Sequence, residues 1–170
     1  LNVTSTYRLS ELWSLAGQVG YNTLDSENNI INGPTFKDTS SGTLYSLSAI
    51  YEGDLNNITV KIAKALNPSG EGVVNEQESI SVDWKRQIAS QLDFGLLASY
   101  QQTTSASDFD NTDRDYMTFS PSLRWRLEEN IALNFGYQFR KQEGDTAQDA
   151  ESNMVFLTLN YDWGGLLYSR

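Results

Sequence analysis

Apolar and polar residues alternate along most of the chain. From Trp13 to Tyr21, every second residue is Trp, Leu, Gly, Val or Tyr, and the residues between them are Ser, Ala, Gln and Gly. A period of two places successive side chains on opposite faces of a β-strand. This segment therefore predicts a strand with one apolar face and one face of small or polar residues.

The same alternation recurs and predicts nine strands and no helix. The apolar positions of the other predicted strands are Leu1, Val3 and Tyr7; Tyr45, Leu47, Ala49 and Tyr51; Ile58, Val60 and Ile62; Ile80, Val82 and Trp84; Leu92, Phe94, Leu96, Ala98 and Tyr100; Met117, Phe119, Leu123 and Trp125; Ile131, Leu133, Phe135, Tyr137 and Phe139; and Val155, Leu157, Leu159, Tyr161 and Trp163. Many of these segments reach the 9–11 residues that a tilted strand needs to cross a bilayer. Pro121 falls inside a strong strand, where we expect a bulge or a locally broken ladder.

The predicted connections alternate between short and long. Short turns are expected at 9–12, 53–57, 86–91 and 127–130, and long loops at 22–42, 66–78, 102–115 and 141–152. An antiparallel up-and-down meander gives this alternation when its two rims face different environments.

Charged side chains are confined almost entirely to one face of the predicted strands. On the apolar face the one charged residue is Lys64, near a long loop. The opposite face is small at Gly20, Ser48, Gly95 and Gly136. We predict that the opposite face lines a pore through the residues Arg8, Glu52, Lys61, Asp83, Lys85, Asp93, Arg124, Arg126, Asn134, Gln138, Arg140 and Asp162.

Bulky residues outside and small polar residues inside are typical of a transmembrane β-barrel. The aromatic residues near strand ends, Trp13, Tyr51, Trp84 and Trp125, fit a belt at the membrane interface. The fold class predicted is all-β, an antiparallel up-and-down transmembrane β-barrel. The alternative is a soluble barrel or sandwich, which shows the same alternation with its apolar face inside.

Composition narrows the chemistry. The chain has 12 Lys and Arg against 22 Asp and Glu, a net charge of −10, which excludes nucleic acid as a partner. It contains no His and no Cys, so the usual hydrolytic triads and thiolate sites are absent. These facts predict no enzymatic activity, no cofactor and no metal site. The acidic segment Asp108, Asp110, Asn111, Asp113 and Asp115 has the spacing of oxygen ligands for calcium but lacks the glycine and closing glutamate of an EF-hand, which favours a solvated loop.

Three segments carry a resemblance to a known group of proteins. The segments 92–102 and 131–141 and the ending VFLTLNYDW at 155–163 resemble bacterial outer-membrane β-barrels. They are most similar to porin-type barrels that are encoded with exopolysaccharide-export or exosortase-type systems. The resemblance implies a location in the bacterial outer membrane. It also implies contact with outer-membrane lipid and lipopolysaccharide, the barrel-assembly machinery and periplasmic export partners.

Two functions follow from this interpretation. The first is a conduit that passes or exports solutes. The resemblance connects this conduit with polysaccharide export. The second is a structural or surface-interaction barrel with acidic extracellular loops and no open pore. The basic residues of the polar face either form a positive lining or pair with the acids and plug the barrel, and both alternatives stay open.

The strand directions predict that the chain is part of a larger barrel. Short turns face the periplasm in bacterial barrels. The first strand runs towards the short turns, as does the last, so the nine strands do not close in the usual antiparallel way. We therefore expect residues 1–163 to form the C-terminal portion of a larger barrel and 164–170 a periplasmic tail. The alternatives are that several such chains share one barrel, or that 12–163 close an eight-stranded barrel with 1–7 outside it.

Overall fold

The chain forms one antiparallel sheet. The computed structural model describes residues 1–29, 35–68, 74–105, 113–144 and 149–163, so the predicted tail at 164–170 lies outside the described residues. Within these ranges the strands are β1 (Asn2–Arg8), β2 (Trp13–Asn29), β3 (Thr35–Glu52), β4 (Asn56–Pro68), β5 (Val74–Ala89), β6 (Leu92–Ser105), β7 (Arg114–Glu128), β8 (Ile131–Gly144) and β9 (Ala150–Tyr161). Each strand pairs with its neighbours in sequence order, which confirms the up-and-down prediction. No helix in this part of the chain is long and apolar enough to cross a membrane.

The short turns lie where the alternation predicts them, but three are tighter, and the connection of β3 to β4 is 53–55 rather than 53–57. The connection of β5 to β6 is Ser90 and Gln91 alone, and that of β7 to β8 is Glu129 and Asn130. The ladder shifts register just before each of these turns, between Gln87 and Ala89 and between Arg126 and Glu128. The predicted turn at 86–91 was therefore too long, because β5 continues through its bulge.

Each of the predicted long loops was too long, because strand residues occupy both of its ends. β2 continues to Asn29 and β3 begins at Thr35, inside the predicted loop at 22–42. The loops predicted at 66–78, 102–115 and 141–152 are likewise shortened by strand residues at both ends. Ladder hydrogen bonds join main-chain groups, so Ser, Thr, Asn and Gln continue a strand after its apolar residues have ended.

The sheet has almost no buried interior. Among the described residues the buried hydrophobic side chains are Leu66 and Ala132, whereas Val19, Leu47, Leu157 and Trp163 are more than half exposed. The accessible surface is 12,635 Å² for a 19.1 kDa chain. A compact globular protein of that mass exposes about 8,400 Å². The described sheet therefore leaves both its apolar and its polar face exposed.

The described sheet has two free edges. β1 pairs with β2 alone, and β9 pairs with β8 alone among the described residues. Eight antiparallel reversals separate β1 from β9, so the two edge strands run in the same direction. β2 and β9 do not pair within the described ranges, so the sheet seen there is not the eight-stranded barrel of 12–163.

Pro121 interrupts the ladder on one side of β7. It pairs with Leu96 of β6 in an unbroken register. On the β8 side, pairing stops after Phe119 opposite Phe139 and resumes at Ser122 opposite Gly136 without a register shift. The predicted local break is confirmed and takes the form of a gap without a bulge, as a residue that lacks an N–H group requires.

Candidate functional site

The polar face of the sheet carries the predicted pore-lining residues. Partners across a β-ladder lie on the same face, so the register assigns faces directly. One continuous row of partners contains Thr6, Ala16, Ser48, Lys61, Ser81, Ser99, Thr118, Arg140 and Ser152. Neighbouring rows bring Arg8, Glu52, Asp83, Lys85, Asp93, Arg124, Arg126, Asn134 and Gln138 to the same face. Asp162 follows β9 directly, and its amide donates to the carbonyl of Asn130 at 2.8 Å.

Two of the basic residues on the polar face are paired with acids. Arg126 Nη2 lies 3.4 Å from Asp93 Oδ2 and also donates to the carbonyl oxygen of Ser90 at 3.0 Å. This contact joins β7 to the turn between β5 and β6 at the short-turn rim. Lys85 Nζ lies 3.5 Å from Asp83 Oδ2 on the same strand. All four side chains are partly exposed, so each pair contributes little to stability.

The other basic residues of the polar face lack such partners. Lys61, Arg124 and Arg140 form no ion pair within 4 Å with a described carboxylate, and neither does Arg8. Glu52 and Asp162 are the acids of the predicted set outside the pairs. Pairing thus accounts for part of the predicted set and leaves a surplus of positive charge among the described residues of this face.

Several large side chains that lie on the polar face were not predicted there from the sequence. The register places Ile50, Leu97, Tyr116, Met154 and Phe156 there. The ring of Phe156 covers Gly136, its ladder partner, in the space where a side chain at residue 136 would lie. Met154 to Leu157 are apolar on both faces, so alternation could not separate them. The strand register was the signal needed.

The apolar face carries aromatic residues near both ends of its strands. At the short-turn end, the rings of Trp13 and Tyr51 are 5.0 Å apart, and those of Trp84 and Phe94 are 5.3 Å apart. At the other end lie Tyr21, Tyr45 and Tyr100, and the Lys64 ammonium contacts the carboxylates of Glu76 and Glu78. Such paired belts bracket the hydrocarbon region of membrane barrels.

The acidic segment gives no described metal centre. Asp108, Asp110 and Asn111 lie outside the described residues. Asp113 directly precedes β7, and Asp115 is the second residue of that strand. In the part of the chain that the structure covers, no group of three or more Asp and Glu is placed to hold a metal ion.

Comparison with solved structures identifies the architecture. OmpT of Vibrio cholerae, an outer membrane protein, matches with a TM-score of 0.57 at 12% identity over 95% of this chain and 64% of that chain. The outer membrane transporter YddB from Escherichia coli matches with a TM-score of 0.56 at 8% identity over 93% of this chain and 30% of that chain. The chain thus spans less than two thirds of each of these structures. No protein-family model matches the sequence, and no curated protein is detectably similar to it.

The chain has the fold of a bacterial outer-membrane β-barrel. The up-and-down sheet and its exposed apolar face agree with the solved barrels that it resembles. In such a barrel the apolar face contacts lipid and the polar face lines the interior. Its location is the bacterial outer membrane.

The prediction that the chain has no enzymatic activity does not stand. It rested on the absence of His and Cys. The chain shares its fold with OmpT at 12% identity. A barrel shared at this identity shows the fold alone and leaves catalysis by other residue types undecided.

Proposed function

We propose that the chain forms part of a conduit for hydrophilic solutes across the outer membrane. The observation that carries this proposal is the row of small hydroxyl and charged residues that crosses the whole polar face, including Lys61, Ser99 and Arg140. A barrel interior of this composition holds water more readily than a packed apolar plug does. The likeness to solved barrels supplies the fold only.

The surplus of positive charge supports a preference for anionic solutes. Lys61, Arg124 and Arg140 have no described acidic partner within 4 Å, so their charge is available to ions in the interior. Rings of basic side chains select anions in pores. An anion passing this face gains favourable Coulomb energy that a cation lacks.

Export of a polysaccharide is a narrower form of the same proposal. The sequence resemblance supports it, and so do the hydroxyl and amide side chains of the polar face, such as Ser81, Thr118 and Gln138, which pair with sugar hydroxyls. Lipopolysaccharide, the assembly machinery and periplasmic export proteins are the partners proposed for it.

Planar-bilayer conductance tests the conduit. We expect discrete conductance steps from the full-length protein, and a lower conductance after Ser99→Trp, which adds bulk to the polar face. The matched control is Ala98→Trp, because Ala98 directly precedes Ser99 and points to the opposite face. No steps from correctly folded protein would overturn the proposal and favour a plugged barrel that interacts through its surface.

A further inference from the structure

Two arginines of the polar face lie at the end of the strands away from the short turns. Arg114 is the first residue of β7, and Arg140 lies in β8 opposite Thr118. Tyr116 and Gln142 are partners in the ladder row between these two arginines. At about 3.4 Å per residue and about 4.8 Å between strands, the Cα atoms of the arginines are about 14 Å apart. The two arginines therefore flank an aromatic and an amide side chain on one face of the sheet.

No described carboxylate shares this part of the polar face. Arg114 and Arg140 are exposed and form no ion pair within 4 Å among the described residues. The other polar-face residues within 99–103, 114–118, 138–144 and 150–152 are neutral. The acids of these segments lie on the opposite face and are Asp115, Glu143 and Glu151. In a chain of net charge −10, this corner of the polar face is therefore positive.

Three other basic residues of the polar face have an acid beside them. Arg126 and Lys85 are paired with Asp93 and Asp83. Arg124 is the ladder partner of Asp93. A neighbouring carboxylate competes with an incoming anion for a basic side chain. Arg114 and Arg140 lack this competition, so their charge is more available to a solute.

The side chains around the two arginines have the chemistry that recognises an acidic sugar. A guanidinium group presents two parallel N–H donors that match the two oxygens of a carboxylate. Thr118 and Ser152 are the ladder partners of Arg140 on its two sides, and their hydroxyl groups exchange hydrogen bonds with sugar hydroxyls. Tyr116 offers an aromatic surface to the apolar side of a sugar ring. The distance between the arginines exceeds one sugar ring, so a ligand that reaches both is an oligosaccharide.

We propose that this corner of the polar face binds an oligosaccharide that carries carboxylate groups. The site, named the arginine patch, consists of Arg114, Tyr116, Thr118, Arg140, Gln142 and Ser152. The proposal rests on the proposed function, because the polar face must be open to solutes. Short turns face the periplasm, so the arginine patch lies towards the outer mouth of the barrel. It makes an acidic saccharide, rather than a neutral one, the solute that this chain recognises.

Isothermal titration calorimetry of the full-length protein in detergent tests the arginine patch, with trigalacturonate as the probe. The control ligand is the fully methyl-esterified trigalacturonate, which has the same sugar rings without their charge. The wild type should bind the acid about tenfold more tightly than the ester, equivalent to about 1.4 kcal/mol. Equal affinities for the two ligands would overturn the proposal. So would equally tight binding of citrate, which carries carboxylates but no sugar ring.

A pair of variants assigns the binding to the arginine patch. Arg140→Gln should weaken trigalacturonate binding about tenfold, because it removes charge-assisted hydrogen bonds and keeps an amide donor. Lys141→Gln is the matched control and should leave the affinity unchanged. Lys141 directly follows Arg140, carries the same charge, and contacts Glu143 on the opposite face. Equal losses in both variants would show that net charge attracts the ligand, and would overturn the proposal.

Conductance of the same proteins separates the arginine patch from the conduit. Conductance steps together with equal binding of trigalacturonate and its ester would overturn the arginine patch and leave the conduit standing. Selective binding that Arg140→Gln weakens, in a folded protein without conductance steps, would support the arginine patch and overturn the conduit.

Discussion

Gly136 and Phe156 form a matched pair on the polar face. The aromatic ring lies over the glycine, in the place where any side chain at residue 136 would stand. Such covering of a strand glycine by a cross-strand aromatic shields the exposed backbone. The pair therefore fixes the packing of β8 against β9 and narrows the space above the polar face.

Gly136→Val should lower the free energy of unfolding by about 1–3 kcal/mol, because the new side chain overlaps the Phe156 ring. Urea titration in lipid vesicles measures this loss. The second change Phe156→Ala should recover part of it. Gly95→Ala is the milder control, since its new methyl group meets only the Ser122 hydroxyl oxygen, at 2.7 Å. Equal losses at both glycines would show that Phe156 is not responsible.

Arg124 and Arg126 lie on the same face two residues apart but have different partners. Arg126 is 3.4 Å from Asp93, whereas Arg124 forms no ion pair within 4 Å among the described residues. Arg124→Gln should therefore reduce anion preference more than Arg126→Gln does. One unit charge at 4 Å in water is worth about 1 kcal/mol, so the change in permeability ratio should stay within about fivefold. Reversal potentials in a salt gradient measure it, and the opposite order would contradict the pairing.

At the scale of the strand, the apolar face carries no charged residue from Leu92 to Tyr100 of β6 or from Ile131 to Phe139 of β8. Leu96 and Phe135 lie on this face within β6 and β8. On the polar face, by contrast, two charged residues, Asp93 and Arg124, are ladder partners. The energetic difference between the two faces comes from lipid, because few side chains in the described sheet are buried by protein.

Leu96→Arg and Phe135→Arg should each lower the free energy of unfolding by about 1–2 kcal/mol, because their ladder rows also contain Trp84 and Phe94 of the short-turn belt and the cost of a lipid-facing charge falls from about 2–4 kcal/mol at the midplane towards the interfaces. Ser99→Arg, on the opposite face, should have a much smaller effect. Folding into vesicles, followed by the gel shift of unheated protein, measures insertion. Normal folding of both apolar-face variants together with failure of Ser99→Arg would show that the two faces are inverted.

The gap at Pro121 gives a prediction about the β7–β8 ladder. Pro121→Thr supplies the missing N–H group and should extend pairing across Ser120 and residue 121. One added hydrogen bond is worth about 0.5–1.5 kcal/mol. Hydrogen–deuterium exchange should slow at Tyr137 of β8, which stands opposite residue 121 in the register. Unchanged or faster exchange there would mean that the gap has a cause other than the proline.

The alternation of apolar and polar residues predicts the strands and their faces, but it does not predict where the strands end. The alternation from Ile131 to Phe139 is set by the contrast between lipid and the interior, which acts on every second side chain. Beyond Tyr21 the residues are polar except for Leu24, so no alternation marks the continuation to Asn29. The Arg126–Asp93 contact depends on strand register and on a bulge near the turn, neither of which single-strand periodicity contains.

At the scale of the whole molecule, the two free edges of the sheet determine how a barrel can close. β1 and β9 run in the same direction. A fully antiparallel barrel closes only if an odd number of further strands stands between them, and main-chain groups left unpaired in lipid are costly. We propose that residues 1–163 are part of such a larger barrel, with further strands between β9 and β1.

Engineered cysteines test this arrangement in native outer membranes. Thr4→Cys combined with Gln18→Cys should form a disulfide, because these residues are ladder partners in β1 and β2. Thr4→Cys combined with Ser152→Cys, Met154→Cys or Thr158→Cys in β9 should not. Gel mobility with and without reductant measures the outcome. A disulfide between β1 and β9 would mean that the nine strands close on themselves.

The hairpin of β2 and β3 is longer than a membrane crossing requires. The two strands have 17 and 18 residues, and their ladder is continuous from Trp13 opposite Tyr51 to Asn29 opposite Thr35. A crossing uses 9–11 residues, so at about 3.4 Å per residue the hairpin extends some 20–27 Å beyond the bilayer. On a living cell this ribbon would reach the antibodies and phages that meet the surface. An epitope tag placed at the far end of this hairpin should bind its antibody on intact bacteria.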